Sequence, residues 1–238
     1  MLRSLRLGGL IVLSIGSSVG IGCRSATQGP IVTVTQVPDF RADSLKSVAY
    51  LGMGSSVADP RAAAMMEPAV QRELVNARLP FILVRLDEVE RRVNITDTGE
   101  TYRAVRDYWR DAKKLDKFRA AELCAKLGVD GLLLGTVVDW MQTEVAPGTQ
   151  QISTTKVIAR LCLYPAGAGR PAWQVQVSHV MESSEREQVS GDPYTQTARQ
   201  RELQRSPGVQ ARERGPAAPG FDEVVEVVAQ ALVEALAP

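Results

Sequence analysis

Histidine is almost missing from this chain. Of its 238 residues only His179 is one, and cysteine stops at Cys23, Cys124 and Cys162. A zinc centre takes about four His, Cys or acidic ligands, so no metal is expected. His179 itself falls in register with apolar residues at the fringe of the last strand, where a packed side chain is the ordinary role. No G-x-S-x-G elbow is present to raise a serine nucleophile. The glycine-rich stretch GMGSS beginning at Gly52 lacks the lysine of a phosphate loop. Gly52-x-Gly54-x-x-Val57 also fails the third small position of the dinucleotide fingerprint, so it reads as a turn and no cofactor is expected. Charge of one sign is missing too: 28 basic residues face 27 acidic ones. A near-neutral chain without a basic stripe is not built for nucleic acid.

What is present begins with an address. Arg3 and Arg6 precede a short apolar run, Leu10 to Ile15, and Gly20-Ile21-Gly22 puts small residues before Cys23. Residues 1–22 therefore read as a signal peptide cut between Gly22 and Cys23. Its removal leaves 26 basic against 27 acidic residues, a net charge of −1. A cysteine straight after Gly22 resembles the lipobox of bacterial lipoproteins, in which the thiol carries a diacylglycerol; Gly20 stands where that pattern prefers leucine. Several acyl chains at ~0.8 kcal/mol per buried methylene hold a protein on a bilayer. By the sorting rule of such lipoproteins, Arg24 in place of aspartate implies the outer membrane.

The chain then divides into a lipidated N-terminus and tether, 23–45, and one domain, 46–238. Twenty flexible residues reach roughly 25 Å. Within the tether, Ile31 to Val37 alternates β-branched residues and either continues the linker or pairs on a sheet edge. Ser47 to Met53 reads as the first strand. A helix follows with Pro68 in its first turn, its apolar stripe being Ala69, Val70, Leu74 and Ala77; residues 62–66 extend it with a kink in a second version. Leu79 to Arg85 is a strand and Leu86 to Val93 a short helix. Tyr102 to Arg110 and Leu115 to Leu127 are helical, broken near Asp111. Tyr102, Tyr108 and Trp109 either form an aromatic recognition patch or sit half-buried on that helix.

The organising stretch is Ala121 to Trp140. After a helix ending at Gly128, Leu132, Leu133, Leu134, Val137 and Val138 form a run too apolar for a wet face, which places it at the centre of a sheet. Gln151 to Tyr164 and Ala172 to Val180 alternate apolar residues with Lys156, Arg160, Gln174, Gln176 and Ser178, giving a hairpin with one core face and one wet face. Cys124 and Cys162 are permitted a bridge by an oxidising compartment, yet free cysteines are commonly small core residues. Residues 182–220 are rich in Arg, Glu, Gln, Ser and Pro and read as a mobile polar insert. Phe221 to Leu236 closes the chain as an amphipathic helix with Asp222 and Glu223 in its first turn.

The order of elements resembles the TolB N-terminal-like fold of CsgG-like and LpoB-type lipoproteins. The matching residues are Val48-Ala49-Tyr50-Leu51, Pro80-Phe81-Ile82-Leu83-Val84, the run Leu127-Gly128-Val129-Asp130-Gly131 with Gly135-Thr136-Val137, and the hairpin ending at Trp173. The resemblance implies an α/β fold, an α+β two-layer sandwich with a mixed sheet of about five strands. Two departures stand out: the hairpin turn is Pro165-Ala166-Gly167-Ala168-Gly169, and no long membrane hairpin follows Trp140, so a pore is not expected. The family's roles are envelope scaffolds, secretion accessories and activators of wall enzymes. The expected function is thus a non-enzymatic lipoprotein on the periplasmic face of the outer membrane, meeting a periplasmic partner or copies of itself. The alternative is an envelope hydrolase or small-ligand binder.

Overall fold

A computed structural model describes residues 29–112, 114–145, 152–183 and 217–237. The leader, Cys23 and all but the ends of the 182–220 insert lie outside the described residues. The elements are β1 (Ile31–Gln36), β2 (Ser47–Ser55), α1 (Arg61–Asn76), β3 (Ile82–Val84), α2 (Leu86–Ile95), α3 (Gly99–Ala112), α4 (Lys117–Leu127), β4 (Gly131–Thr143), β5 (Thr154–Pro165), β6 (Trp173–Glu182) and α5 (Phe221–Glu234).

The strands form one six-stranded mixed sheet in the order β1-β6-β5-β4-β2-β3. β2 runs parallel to β3 and β4, and the remaining neighbours are antiparallel. The α/β class and mixed sheet expected from the sequence are present, and β4 lies inside as its apolar run requires. Its two faces meet different cores. Leu133, with Val48, Tyr50, Leu161 and Val175, packs under α1 and α5. Leu132 and Leu134, with Ala49 and Leu51, pack under α2, α3 and α4. Among the described residues, helices cover only the α1/α5 side of β1, β6 and the part of β5 before Cys162, so that half is two layers. The other half, around β2 and β4, carries a third.

The structure decides two alternatives that the sequence leaves open and shortens one strand, each for a physical reason. First, β1 pairs antiparallel with β6 from Ile31↔Ser178 to Gln36↔Trp173, and Leu45 is buried, so the folded part starts near residue 29 rather than 46. The open edge of β6 offers backbone partners that the alternating residues of β1 satisfy. Second, α1 begins at Arg61, so Pro68 sits inside it rather than in its first turn. Pro68 is exposed, so the carbonyl it leaves unpaired in the preceding turn faces water. Third, β3 is only three residues long, because Ser47–Ala49 is all of β2 it pairs with.

Local chemistry fixes the central strand's start. Asp116 caps α4, its Oδ1 accepting from the N–H groups of Phe118 (2.9 Å) and Arg119 (3.2 Å). Gly128, at φ 68°, ends the helix. Asp130 then accepts from the N–H groups of Lys46 (2.9 Å) and Ser47 (3.0 Å), tying β4 to β2. Those backbone donors, Ser47 first, hold its carboxyl below the ordinary range.

Candidate binding cleft

Where α3 and α4 stop short of β5, the step between covered and uncovered sheet leaves a cleft of ≈ 380 Å³. Its floor is Thr136 of β4, Cys162 and Tyr164 of β5, and Gln174 of β6, with Trp109 of α3 on one side. Three cations close over it: Lys114 after α3, Arg160 on β5, and Arg170 beside Pro171 in the β5–β6 turn. No carboxylate lines it among the described residues.

The side chains within it are held firmly. Trp109 Nε1–H donates to Tyr164 Oη (3.2 Å), and the Cys162 thiol donates to Gln174 Oε1 (3.5 Å). Gln176 Oε1 accepts from Arg160 Nη2 (2.7 Å) and Nε (3.3 Å), fixing the guanidinium while its other N–H groups stay available. Burial pushes the Cys162 thiol up to about 12, so it is no thiolate nucleophile at neutral pH. The same holds for Cys124, also about 12, in the core beneath α4. Both cysteines are free, so the permitted bridge is not made.

A second polar cluster sits at the bulge of β2. Gly52, at φ 96°, lies where a Cβ would stand 3.0 Å from Glu67 Oε2 and 3.5 Å from Arg106 Nη2. Met53 N–H donates to Glu67, and Arg106 Nη1 donates to Tyr102 Oη (3.0 Å). Burial, first of all, raises the Glu67 carboxyl, against the pull of the Met53 amide, Tyr50 and Arg106. A buried carboxyl beside tyrosine and arginine is the kind of group that serves acid–base chemistry. Here Glu67 Oε1 and Tyr50 Oη are both closed off from solvent and lack a well-formed hydrogen bond. A solute cannot touch them in this conformation, so the cluster joins α1, β2 and α3 rather than forming a site.

That burial carries a pH signature. Glu67 has a folded-state pKa above its unfolded value, so its contribution to stability is present at low pH and lost as pH rises through the folded value. Glu67→Gln keeps an acceptor for Met53 and removes the charge. The urea midpoint of the variant relative to the parent is expected to rise from near zero difference at pH 4 to a positive one at pH 7. A variant weaker at pH 7 would mean that attraction to Arg106 outweighs burial.

The residues singled out in the sequence are scattered. Gly22 and Cys23 lie outside the described residues. His179 is buried on the sheet face under α5, opposite the cleft, and burial lowers its pKa, so it is a packed neutral side chain. Tyr102 and Trp109 are buried while Tyr108 is exposed, so no aromatic recognition patch forms. GMGSS continues β2 instead of turning after it. Among the described residues no His, Cys, Asp and Glu group has metal-binding geometry, and no helix is long and apolar enough to cross a membrane. The cleft's cations went unmarked: Arg160 read only as one residue of a wet strand face.

No protein-family model matches the chain, and no curated protein matches it. Solved structures similar to it include the PelC dodecamer from Paraburkholderia phytofirmans, at 12% identity and TM-score 0.43 over 88% of this chain and 99% of that one. Lipoprotein GNA1162 from Neisseria meningitidis is 18% identical, with TM-score 0.41 over 68% of this chain and 99% of that one. The hypothetical protein CT253 from Chlamydia trachomatis is 10% identical, with TM-score 0.37 over 80% and 95%. Likeness at this level carries no argument about activity, partners or assembly.

Proposed function

We propose that the chain is a bacterial envelope lipoprotein, anchored by lipid on Cys23 at the periplasmic face of the outer membrane, whose α/β domain acts by binding rather than by catalysis. The observation that carries this is the leader ending at Cys23, followed so soon by a strand docked in the sheet. Only Arg24 to Pro30 separate the anchor from Ile31. Seven residues span at most ~25 Å fully extended and roughly 15 Å as coil. Because β1 enters the sheet where β4 and β6 end, that end of the sheet sits near the bilayer and the β5–β6 turn points away from it.

A binding role agrees with the state of the reactive groups: both described thiols are protonated, the histidine is enclosed, and Glu67 Oε1 is covered. The partner is a periplasmic protein or a second copy of the chain, which sedimentation of the purified mature protein and crosslinking in intact cells would distinguish. The small-ligand reading keeps one specific support, the cationic cleft.

Cys23→Ala tests the anchor. The variant is expected to lose metabolic labelling by an alkyne fatty acid and to accumulate as a soluble or uncleaved form. A processed variant that stays with the membrane fraction would place the anchor elsewhere.

A further inference from the structure

We infer that the cleft beneath the α3 end and the β5–β6 turn is a binding site for a compact oxyanion, a solute or polymer end carrying at least two phosphate or carboxylate charges. The inference goes beyond anchoring and rests on it only for the choice of a soluble over a lipid-borne ligand. Lys114, Arg160 and Arg170 converge on one concavity. Several other arginines among the described residues are paired: Arg61 with Asp59, Arg85 with Asp87, Arg91 and Arg92 with Glu88. None of the three cleft cations has an ion pair among the described residues. Like charges brought together repel one another, and an arriving anion relieves all three at once.

The geometry suits such a ligand. Arg160 is preorganised by Gln176, and a guanidinium held in place presents its remaining N–H groups as a fork matched to two oxygens of one phosphate or carboxylate. Lys114 and Arg170 are exposed at the rim, where they draw the anion in. The volume, ≈ 380 Å³, is at the small end of ligand sites, which run from about 300 to 1,000 Å³. An oxyanion has two sources in an envelope, a soluble species or a lipid headgroup. The tether enters at the opposite end of the sheet, so the cleft opens away from the anchoring membrane and takes the soluble species.

The test is calorimetric titration of the purified mature protein in non-ionic detergent with pyrophosphate and with citrate, against sodium chloride at matched ionic strength. Vesicles containing phosphatidylglycerol form a separate arm. Saturable one-site binding of pyrophosphate or citrate is expected, weakened at least about tenfold by Arg160→Gln and by Arg170→Gln. The thermal midpoint of Arg170→Gln without ligand should stay unchanged or rise, since it removes a repelling charge. Arg170 is exposed on a turn and serves as the second variant should Arg160→Gln disturb the strand. Heats no different from sodium chloride, or binding equal in the parent and both variants, would overturn the inference. So would arginine-dependent binding to vesicles alone.

Discussion

Leu133→Ala and Leu134→Ala are each expected to cost ~2–5 kcal/mol of a total stability of about 5–15 kcal/mol, seen as two large falls in urea midpoint. The two leucines are neighbours in β4 and point to opposite faces. Leu133 is 0% exposed among the residues under α1 and α5, and Leu134 is 1% exposed among those under α2, α3 and α4. Each truncation opens a cavity in a different core, so their effects should add to within about 0.5 kcal/mol only if the backbone does not transmit a shift. One large and one negligible loss would mean that a helical layer is absent in solution and that the apolar face beneath it is open.

The same comparison separates β4 from its hairpin partners. On β5 the residues facing away from α5 include Lys156 and Arg160, and on β6 they are Gln174, Gln176 and Ser178. Truncating those side chains should cost far less, because water already reaches them. A sheet that is enclosed at one half and wet at the other therefore has a seam, and the cleft lies along it.

How much of this was legible follows from where each signal resides. An unbroken run such as Leu132-Leu133-Leu134 can only be stable with both faces covered, so the central strand could be read directly. The alternation of Val157, Ala159, Leu161 and Leu163 with Lys156 and Arg160, and of Trp173, Val175 and Val177 with Gln174 and Gln176, likewise announced the hairpin and its wet face. β1 was half legible: Ile31 to Val37 has strand chemistry, but its docking depends on the free edge of β6, more than a hundred residues away. The sequence leaves Pro68 between the first turn and the interior of α1, because first-turn prolines are common, whereas an exposed proline inside a helix depends on the far side of α1 being open to water. The cleft was not legible. Lys114, Arg160 and Arg170 follow no period and share no motif. Their meeting is a product of where α3 ends against the sheet.

Trp109 holds that seam, and Trp109→Ala is expected to cost ~3–5 kcal/mol. The indole is 4% exposed, donates to Tyr164 Oη, and lays its six-membered ring against Gly54 of β2. A Cβ on residue 54 would stand 3.1 Å from Trp109 Cζ3, so glycine there is what lets the ring approach the strand. Gly54→Ala should consequently be destabilising in the parent protein, by the ~1–3 kcal/mol typical of overpacking. Trp109→Phe keeps an aromatic side chain but withdraws the crowding atoms and leaves Tyr164 Oη without its donor. Its own cost should be smaller than that of alanine. With Trp109→Phe in place, adding Gly54→Ala should cost distinctly less than it does alone, the difference being the coupling between ring and strand. Denaturant midpoints of the two single variants and the double variant measure that coupling. Strictly additive effects would show that the ring does not rest on Gly54, and the wall of the cleft would then be set by some other contact of α3.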